Sequence, residues 1–295
     1  MTRRIKENLI KSLFFIFSAF SILLLALIVV FLFREGLPLF ESVSSMDFIF
    51  GMYWYPTYDP PEYGIWPLIV GSLAVTFIAS VIAVPLGVLS AVYIAEIAPA
   101  SVRDILKSVI ELIAGIPSVV LGFFGMVILA PWLQETFDLP TGLNIMNASV
   151  VLALMAVPTI SSISEDAIYA VPNEFKEASY ALGATKFETI AKVIIPAALS
   201  GISTAVILGM SRAIGETMVV LMVAGGAAAI PESLFDSVRP MPASIAAEMG
   251  EAPFRSGHYH ALFATGIVLF FITLAFNLLA DYISNRFREV GSATL

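Results

Sequence analysis

Two full charges, Arg212 and Glu216, sit four residues apart in SRAIGETM at 211–218, inside the otherwise apolar stretch Leu199–Ala224. Residues at that spacing are neighbours on a helix, so the two side chains are expected to pair. Gly215 between them leaves room for a close backbone or ligand. A charge at membrane depth costs roughly 2.5–3.5 kcal/mol on insertion scales. Pairing lowers that cost but does not explain why both charges are present, because an apolar pair would avoid it. One account is an ion pair that orients one helix against its neighbours. The other is chemical: a guanidinium offers two parallel donors that match a tetrahedral oxyanion. Glu216 would then hold Arg212 in place or compete with the anion for it, which keeps binding weak enough for release.

Other groups carry weaker chemistry. Thr159, Ser161, Ser162 and Ser164 could donate to an anion. Hydroxyls in membrane helices more often pack or bond their own backbone, and packing is the expectation here. Glu165 and Asp166 are expected at a membrane edge, solvated. His258 and His260 lack a third ligand, so no metal site is expected, and the absence of cysteine excludes thiolate sites and disulfides. No catalytic histidine, cysteine or metal cluster lies in a span, which argues against an intramembrane enzyme. Pro85–Gly87 and Gly115–Pro117 are expected to mark bends. Tyr53, Trp54, Tyr55, Tyr58, Tyr63 and Trp66 read as an interfacial aromatic belt, with contact to a delivery protein as the alternative.

The elements that must position these groups follow from composition. Of 295 residues, 59% are hydrophobic and 13% charged, and the mean hydropathy is +0.93. Soluble domains are nearer half apolar and a quarter charged, so this is an integral membrane chain. Six apolar runs are long enough to span, near 12–33, 67–95, 109–133, 147–170, 199–224 and 259–282. Continuous rather than alternating apolar runs choose helices over a barrel. The first run is too long for a signal peptide and is followed by no small-residue cleavage site, so it is expected to be retained.

Lys and Arg set the orientation. Eleven lie at the N-terminus and near 96–108, 171–198 and 283–295, against three in the alternate segments: Arg34, Arg239 and Arg255. Both termini are therefore expected in the cytoplasm. Eleven carboxylates join those three cations on the outer side, so that face is acidic and would repel a free anion, within the limits of salt screening.

The segment 171–198 is not linker-like. Phe175, Ala178 and Leu182 share a helical face, Gly183 can take the left-handed conformation that ends a helix, and Thr185 with Glu188 predicts a capping box that starts the next. Phe187, Ile190, Ala191 and Ile194 are expected to form one apolar face, and Pro196 to stop or bend that helix. Two short helices should thus meet at a glycine corner that another protein can grip, or else pack as a hairpin on their own bundle.

EASYALG, nine residues, then VIIP resembles the EAA motif of ABC importer permeases. The match falls on Glu177, Ala178, Gly183 and Pro196, with Ser179, Val193 and Ile195 as conservative departures. The stretch GMSRAIGETMVVLMVAGG, with GIPSVVLGFFG at 115–125, VPTISSISEDAIYAVP at 157–172 and AAEMGEA near the C-terminus, is similar to permeases of phosphate-specific ABC importers, most to their C-type subunit. The resemblance covers most of 67–285.

It implies an all-α integral membrane fold of six transmembrane helices, the type I ABC importer permease (MetI-like) fold. Residues 1–66 would be an N-terminal helix and extracytoplasmic loop, 67–285 the permease domain with its coupling loop at 172–198, and 286–295 a cytoplasmic tail. It implies that Arg212 and Glu216 lie on the phosphate pathway, and that Glu177, Ala178, Gly183, Ala184, Thr185, Lys186, Phe187 and Glu188 meet the ATPase. No Walker A pattern occurs, so no cofactor is expected on this chain, with ATP and Mg on the partner. Implied partners are a homologous second permease, an ATPase dimer, an extracytoplasmic phosphate-binding protein, inorganic phosphate and membrane lipid, without nucleic acid. The alternatives are a permease for sulfate, molybdate or tungstate, an ATP-independent transporter or channel, and a membrane scaffold.

Overall fold

The structure, a computed structural model, describes residues 2–288. The expected tail 286–295 thus falls largely outside the described residues. In chain order the helices are α1 (Thr2–Gly36), α2 (Ser45–Phe50), α3 (Trp66–Val92), α4 (Ala100–Ala114), α5 (Ser118–Phe124), α6 (Ala130–Phe137), α7 (Ile145–Tyr169), α8 (Asn173–Ala181), α9 (Lys186–Thr189), α10 (Ile195–Ile214), α11 (Met218–Val223), α12 (Met241–Glu248) and α13 (Gly257–Arg288). A two-stranded antiparallel hairpin, β1 (Trp54–Tyr55) with β2 (Glu62–Tyr63), lies between α2 and α3.

Among the described residues, six helical stretches are long and apolar enough to cross a membrane: Ile10–Glu41, Trp66–Ile97, Ser118–Phe137, Ile145–Tyr169, Lys186–Ile214 and Gly257–Leu279. The third differs from the expected 109–133. The chain breaks at Gly115–Pro117, leaving α4 as a separate amphipathic helix with no buried residue. Its apolar residues Val109, Ile110, Leu112 and Ile113 extend the apolar run of the sequence. Wide π turns at Gly125–Leu129 and Ile190–Ile194 join α5 to α6 and α9 to α10. Each comes just before a proline, Pro131 or Pro196. A proline ring clashes with the carbonyl four residues back, and a wider turn gives it room. Pro196 therefore does not stop the helix, one of the two outcomes expected of it.

Small residues set the packing, as is usual where lipid removes the hydrophobic drive between helices. Ile160 of α7 is clamped between two glycines. A methyl group on Gly87 of α3 would come 2.7 Å from Ile160 Cγ2, and one on Gly209 of α10 2.5 Å from Ile160 Cγ1. Ser149 Oγ of α7 also donates to Val75 O of α3 at 3.2 Å. Helices α3, α7 and α10 thus pack as one unit. By contrast α1 meets the bundle mainly along α13, through edge-to-face pairs Phe31–Phe263 at 5.5 Å and Phe33–Phe271 at 6.0 Å.

Candidate functional site

The expected pairing of Arg212 with Glu216 is not what the structure shows. The run 199–224 is not one helix: α10 ends at Ile214, and α11 starts at Met218. Gly215 to Thr217 form a turn, with Glu216 N donating to Ala213 O at 3.3 Å and Thr217 Oγ1 to Gly215 O at 3.3 Å. No Arg212–Glu216 ion pair forms among the described residues. Each charge instead sits at the helix end that suits it. Arg212 lies in the last turn of α10, where the helix dipole favours a cation. Glu216 Oε1 accepts from Met218 N at 3.1 Å and Val219 N at 3.4 Å, and so satisfies two otherwise open donors of α11.

That leaves Arg212 little used. Among the described residues its guanidinium makes one hydrogen bond, Nη1 to Thr159 Oγ1 at 3.4 Å. The side chain is exposed in the isolated chain, and with Glu216 it lines a shallow crevice walled by Leu152, Met155 and Ala156. Thr159 lies near the middle of α7, roughly 21 Å from its first residue and 15 Å from its last at 1.5 Å per residue. A guanidinium with free donors is thus held near mid-span, at a break between two helices. Next to it Ser211 Oγ donates to Asn277 Oδ1 of α13 at 2.7 Å. Such arrangements can take an oxyanion: irregular backbone at membrane depth is tolerated where it lines a path, and broken helices commonly mark transport sites.

Of the hydroxyls on α7, Thr159 holds Arg212, whereas Ser161 and Ser164 are buried and have no hydrogen-bond partner among the described residues. Glu165 corrects another expectation. It is buried, not solvated, because Lys107 Nζ of α4 reaches it at 2.9 Å. That hydrogen bond, outweighing partial desolvation, holds the Lys107 ammonium above the usual lysine range. Asp166 is exposed, as expected.

At the loop, the local signals read well. Gly183 has φ +85°; Ala184 N donates to Ser179 O at 3.2 Å and Gly183 N to Tyr180 O at 2.9 Å, which is a Schellman end to α8. The Thr185–Glu188 capping box starts α9, and Ser179 Oγ lies 2.9 Å from Thr189 Oγ1 across the corner. Glu177, Ala178, Gly183, Thr185, Lys186, Phe187 and Glu188 are exposed together, with Ala184 half-buried. The predicted single apolar face splits. Ile190 and Ile194 are buried, but Phe187 is 76% exposed and Ala191 is exposed as well, and Leu182 at the end of the preceding helix is 89% exposed. These side chains are turned away from their own bundle, so the corner is not a hairpin closed on the chain itself.

A third cluster escaped the sequence. The Glu248 carboxylate accepts from Trp54 Nε1 at 3.0 Å, Arg239 Nη1 at 2.6 Å and Ser244 Oγ at 3.2 Å, and lies 2.8 Å from His258 Nε2. Arg239 Nε also donates to Gly226 O at 2.7 Å. Beside them opens a cavity of about 630 Å³, lined in part by Glu251 and Ala227–Ala229. Trp54 is therefore core rather than belt, while Tyr53, Tyr55 and Tyr58 stack outside at 6.1 and 4.9 Å. His260 Nδ1 lies 2.6 Å from Glu35 O, a carbonyl that only accepts, so that nitrogen carries the proton. No group of three metal-ligating side chains occurs among the described residues. The one available signal was a lone carboxylate in the apolar run 240–249; its partners are up to 194 residues away.

The family described as "Binding-protein-dependent transport system inner membrane component" matches residues 83–289. The chain belongs to this family. It is 42% identical over 261 residues to a probable ABC transporter permease protein, YqgH, of Bacillus subtilis, covering 88% of this chain and 84% of that one. It is 35% identical over 298 residues to the phosphate transport system permease protein PstC of Pasteurella multocida, covering 92% and 91%. Among solved structures, a bacterial alginate ABC transporter in complex with an alginate-bound periplasmic protein superposes with a TM-score of 0.60 at 15% identity, over 95% of this chain and 96% of that one. The MetNI methionine ABC transporter, in inward-facing form, gives 0.56 at 22% identity, over 76% and 94%. At such identities these two establish the fold alone. The six helices and the family together make this a multi-pass inner-membrane permease of the ABC importer fold.

Proposed function

We propose that this chain is a permease subunit of an ATP-driven phosphate importer, with Arg212 on the translocation path. The observation that carries the proposal is the Arg212 guanidinium, held near mid-span by one hydrogen bond and otherwise open, in a chain 35% identical to a phosphate permease over nine-tenths of its length. Phosphate offers the tetrahedral oxygens that a two-donor fork fits. Glu216, committed to capping α11, leaves the fork open and keeps a negative charge close enough to weaken anion binding.

In this reading both termini and the 172–198 loop face the cytoplasm. The path runs between this chain and a homologous second permease. An ATPase dimer, which binds ATP and Mg, grips the corner made by Glu177, Ala178 and Gly183–Glu188. An extracytoplasmic binding protein supplies phosphate locally, which suits an outer face too acidic to gather free phosphate. ATP-driven closure of the ATPases moves the loop, the path opens outward, phosphate passes Arg212, and hydrolysis releases it inward.

The test is ATP-driven uptake of labelled phosphate into proteoliposomes holding the full complex, with sulfate and molybdate as competitors. Uptake inhibited by neither competitor, and lost in Arg212→Gln while assembly and hydrolysis persist, is the expected result. Normal transport by the variant removes Arg212 from the path. Uptake of another oxyanion in place of phosphate keeps the permease and overturns the substrate.

A further inference from the structure

Among the described residues, one ion pair ties the loop that would meet the ATPase to the membrane helices. Lys176 of α8 places Nζ 2.6 Å from Glu96 Oε1, with the side chains 21% and 8% exposed. Glu96 sits in the π turn Tyr93–Ile97 that ends the α3 span. A carboxylate there is at the negative end of the helix dipole and is unfavourable unless a cation meets it. Arg103 is engaged elsewhere, donating from Nε to Ile94 O at 2.9 Å and from Nη2 to Ala95 O at 3.1 Å. Among the described residues Lys176 is the cation that pairs with Glu96.

Other loop contacts are of a different kind. Lys192–Glu188 is an exposed pair within the loop's own helix, at 3.5 Å, and such pairs hold little. Ile190 and Ile194 share one buried apolar cluster with Ala91, Val92 and Ala95 of the α3 span, but apolar contact is non-directional and tolerates sliding. Helix α8 itself buries only Ser179. A largely buried ion pair, by contrast, fixes register.

From Glu96 the path inward runs through close packing. Glu96 continues into α3, whose Gly87 abuts Ile160 of α7. Ile160 also abuts Gly209 of α10. Its neighbour Thr159 holds Arg212. We propose that Lys176–Glu96 is a positioning link that carries movement of the loop into the α3–α7–α10 unit, so that ATP hydrolysis is coupled to movement at Arg212. This rests on the reading of the loop as the ATPase contact.

The experiment uses the complete reconstituted complex and reads phosphate taken up per ATP hydrolysed. The variants are Glu96→Gln, Lys176→Gln, and the exchange Glu96→Lys with Lys176→Glu. Both single variants are expected to keep the ATPase and its hydrolysis while uptake per ATP falls between about two- and thirty-fold, the range for residues that carry coupling. The exchange is expected to recover most of the loss. Wild-type uptake per ATP in the single variants overturns the link. So does a loss that the exchange fails to recover, because the two charges then act other than by pairing. Loss of the ATPase from the single variants, restored by the exchange without change in uptake per ATP, makes the pair a brace for assembly only. If the wild-type chain itself does not co-purify with an ATPase, the functional reading fails and the link falls with it. If the wild type does and only coupling is indifferent to the variants, the link alone is lost.

Discussion

Two carboxylate–cation clusters in this chain are built on opposite plans. Around Glu248, one carboxylate is met by Arg239, Trp54, Ser244 and His258, and it ties the β1–β2 hairpin to α12 and α13. At the α10–α11 break, Arg212 and Glu216 lie in one crevice yet do not pair, and the guanidinium has a single hydroxyl for company. Buried polar groups that are fully satisfied hold a fold together, and their loss is felt as instability. A charge left open at membrane depth adds little beyond its fit to the helix end, and is by default a functional hypothesis. The first cluster should therefore respond to mutation in stability, and the second in transport.

The largest effect is expected at Arg212. Removing a two-donor contact to an anion forgoes two charge-assisted bonds, each worth roughly 1.5–3 kcal/mol, which corresponds to a fall in flux of about a hundredfold or more. Arg212→Gln should show that fall with thermal stability essentially unchanged. A variant that transports normally, or that fails only because it unfolds, would make the break a structural feature and erase the contrast.

Glu248→Ala is the mirror image. It strands four donors at once, and breaking a buried pair costs about 3–5 kcal/mol. Arg239 is 31% exposed and water from the adjoining cavity can reach it, so about 2–3 kcal/mol is expected. Detergent-solubilised variant should melt well below wild type, while the molecules that stay folded transport at near-normal rate. A transport defect without lost stability would mean that the Glu248 cluster belongs to the path as well.

The two clusters also differ in how far the sequence revealed them. SRAIGETM announced itself, because charges in an apolar run are visible to any window. What the window missed was the break at Gly215–Thr217. Hydropathy reports burial and is blind to hydrogen bonding, and the apolar residues on both sides of the turn kept the run continuous. The same blindness merged α4 with the third span across Gly115–Pro117. The loop corner was legible in detail because its signals are local: Gly183 ends α8, and Thr185 with Glu188 starts α9 within four residues. Glu165 and Glu248 were misread or overlooked because what settles each lies far along the chain, Lys107 for one and Trp54 for the other.

Between the clusters lies the packing that the coupling proposal needs. Gly209→Ala would push a methyl to 2.5 Å from Ile160 Cγ1. Overpacking of that kind costs about 1–3 kcal/mol, and here it should also displace α10 against α7, next to the Thr159–Arg212 contact. Reduced uptake is expected together with a lower melting temperature, both partly restored by Ile160→Ala, which removes the Cγ1 that the new methyl meets. Restoration of stability without restoration of uptake would separate packing from transport and weaken the view of α3, α7 and α10 as one moving unit.

The smallest effect is expected at Gly183, where neither plan applies. Its φ of +85° suits glycine, and a methyl group there would meet nothing within 4 Å. The penalty of Gly183→Ala is therefore backbone strain alone, about 1–2 kcal/mol for a left-handed non-glycine residue. It acts on a corner held by only a few local bonds, so it should appear as faster amide exchange from 179 to 189 with the global melting temperature nearly unmoved. Uptake should fall a few-fold, because the corner spends part of its time misshapen for its partner. An Asn in the same place tolerates that conformation better and should recover most of the loss. If Gly183→Asn is instead as damaging as Gly183→Ala, the position is intolerant of any side chain, and a partner surface lies directly against it in the assembled complex.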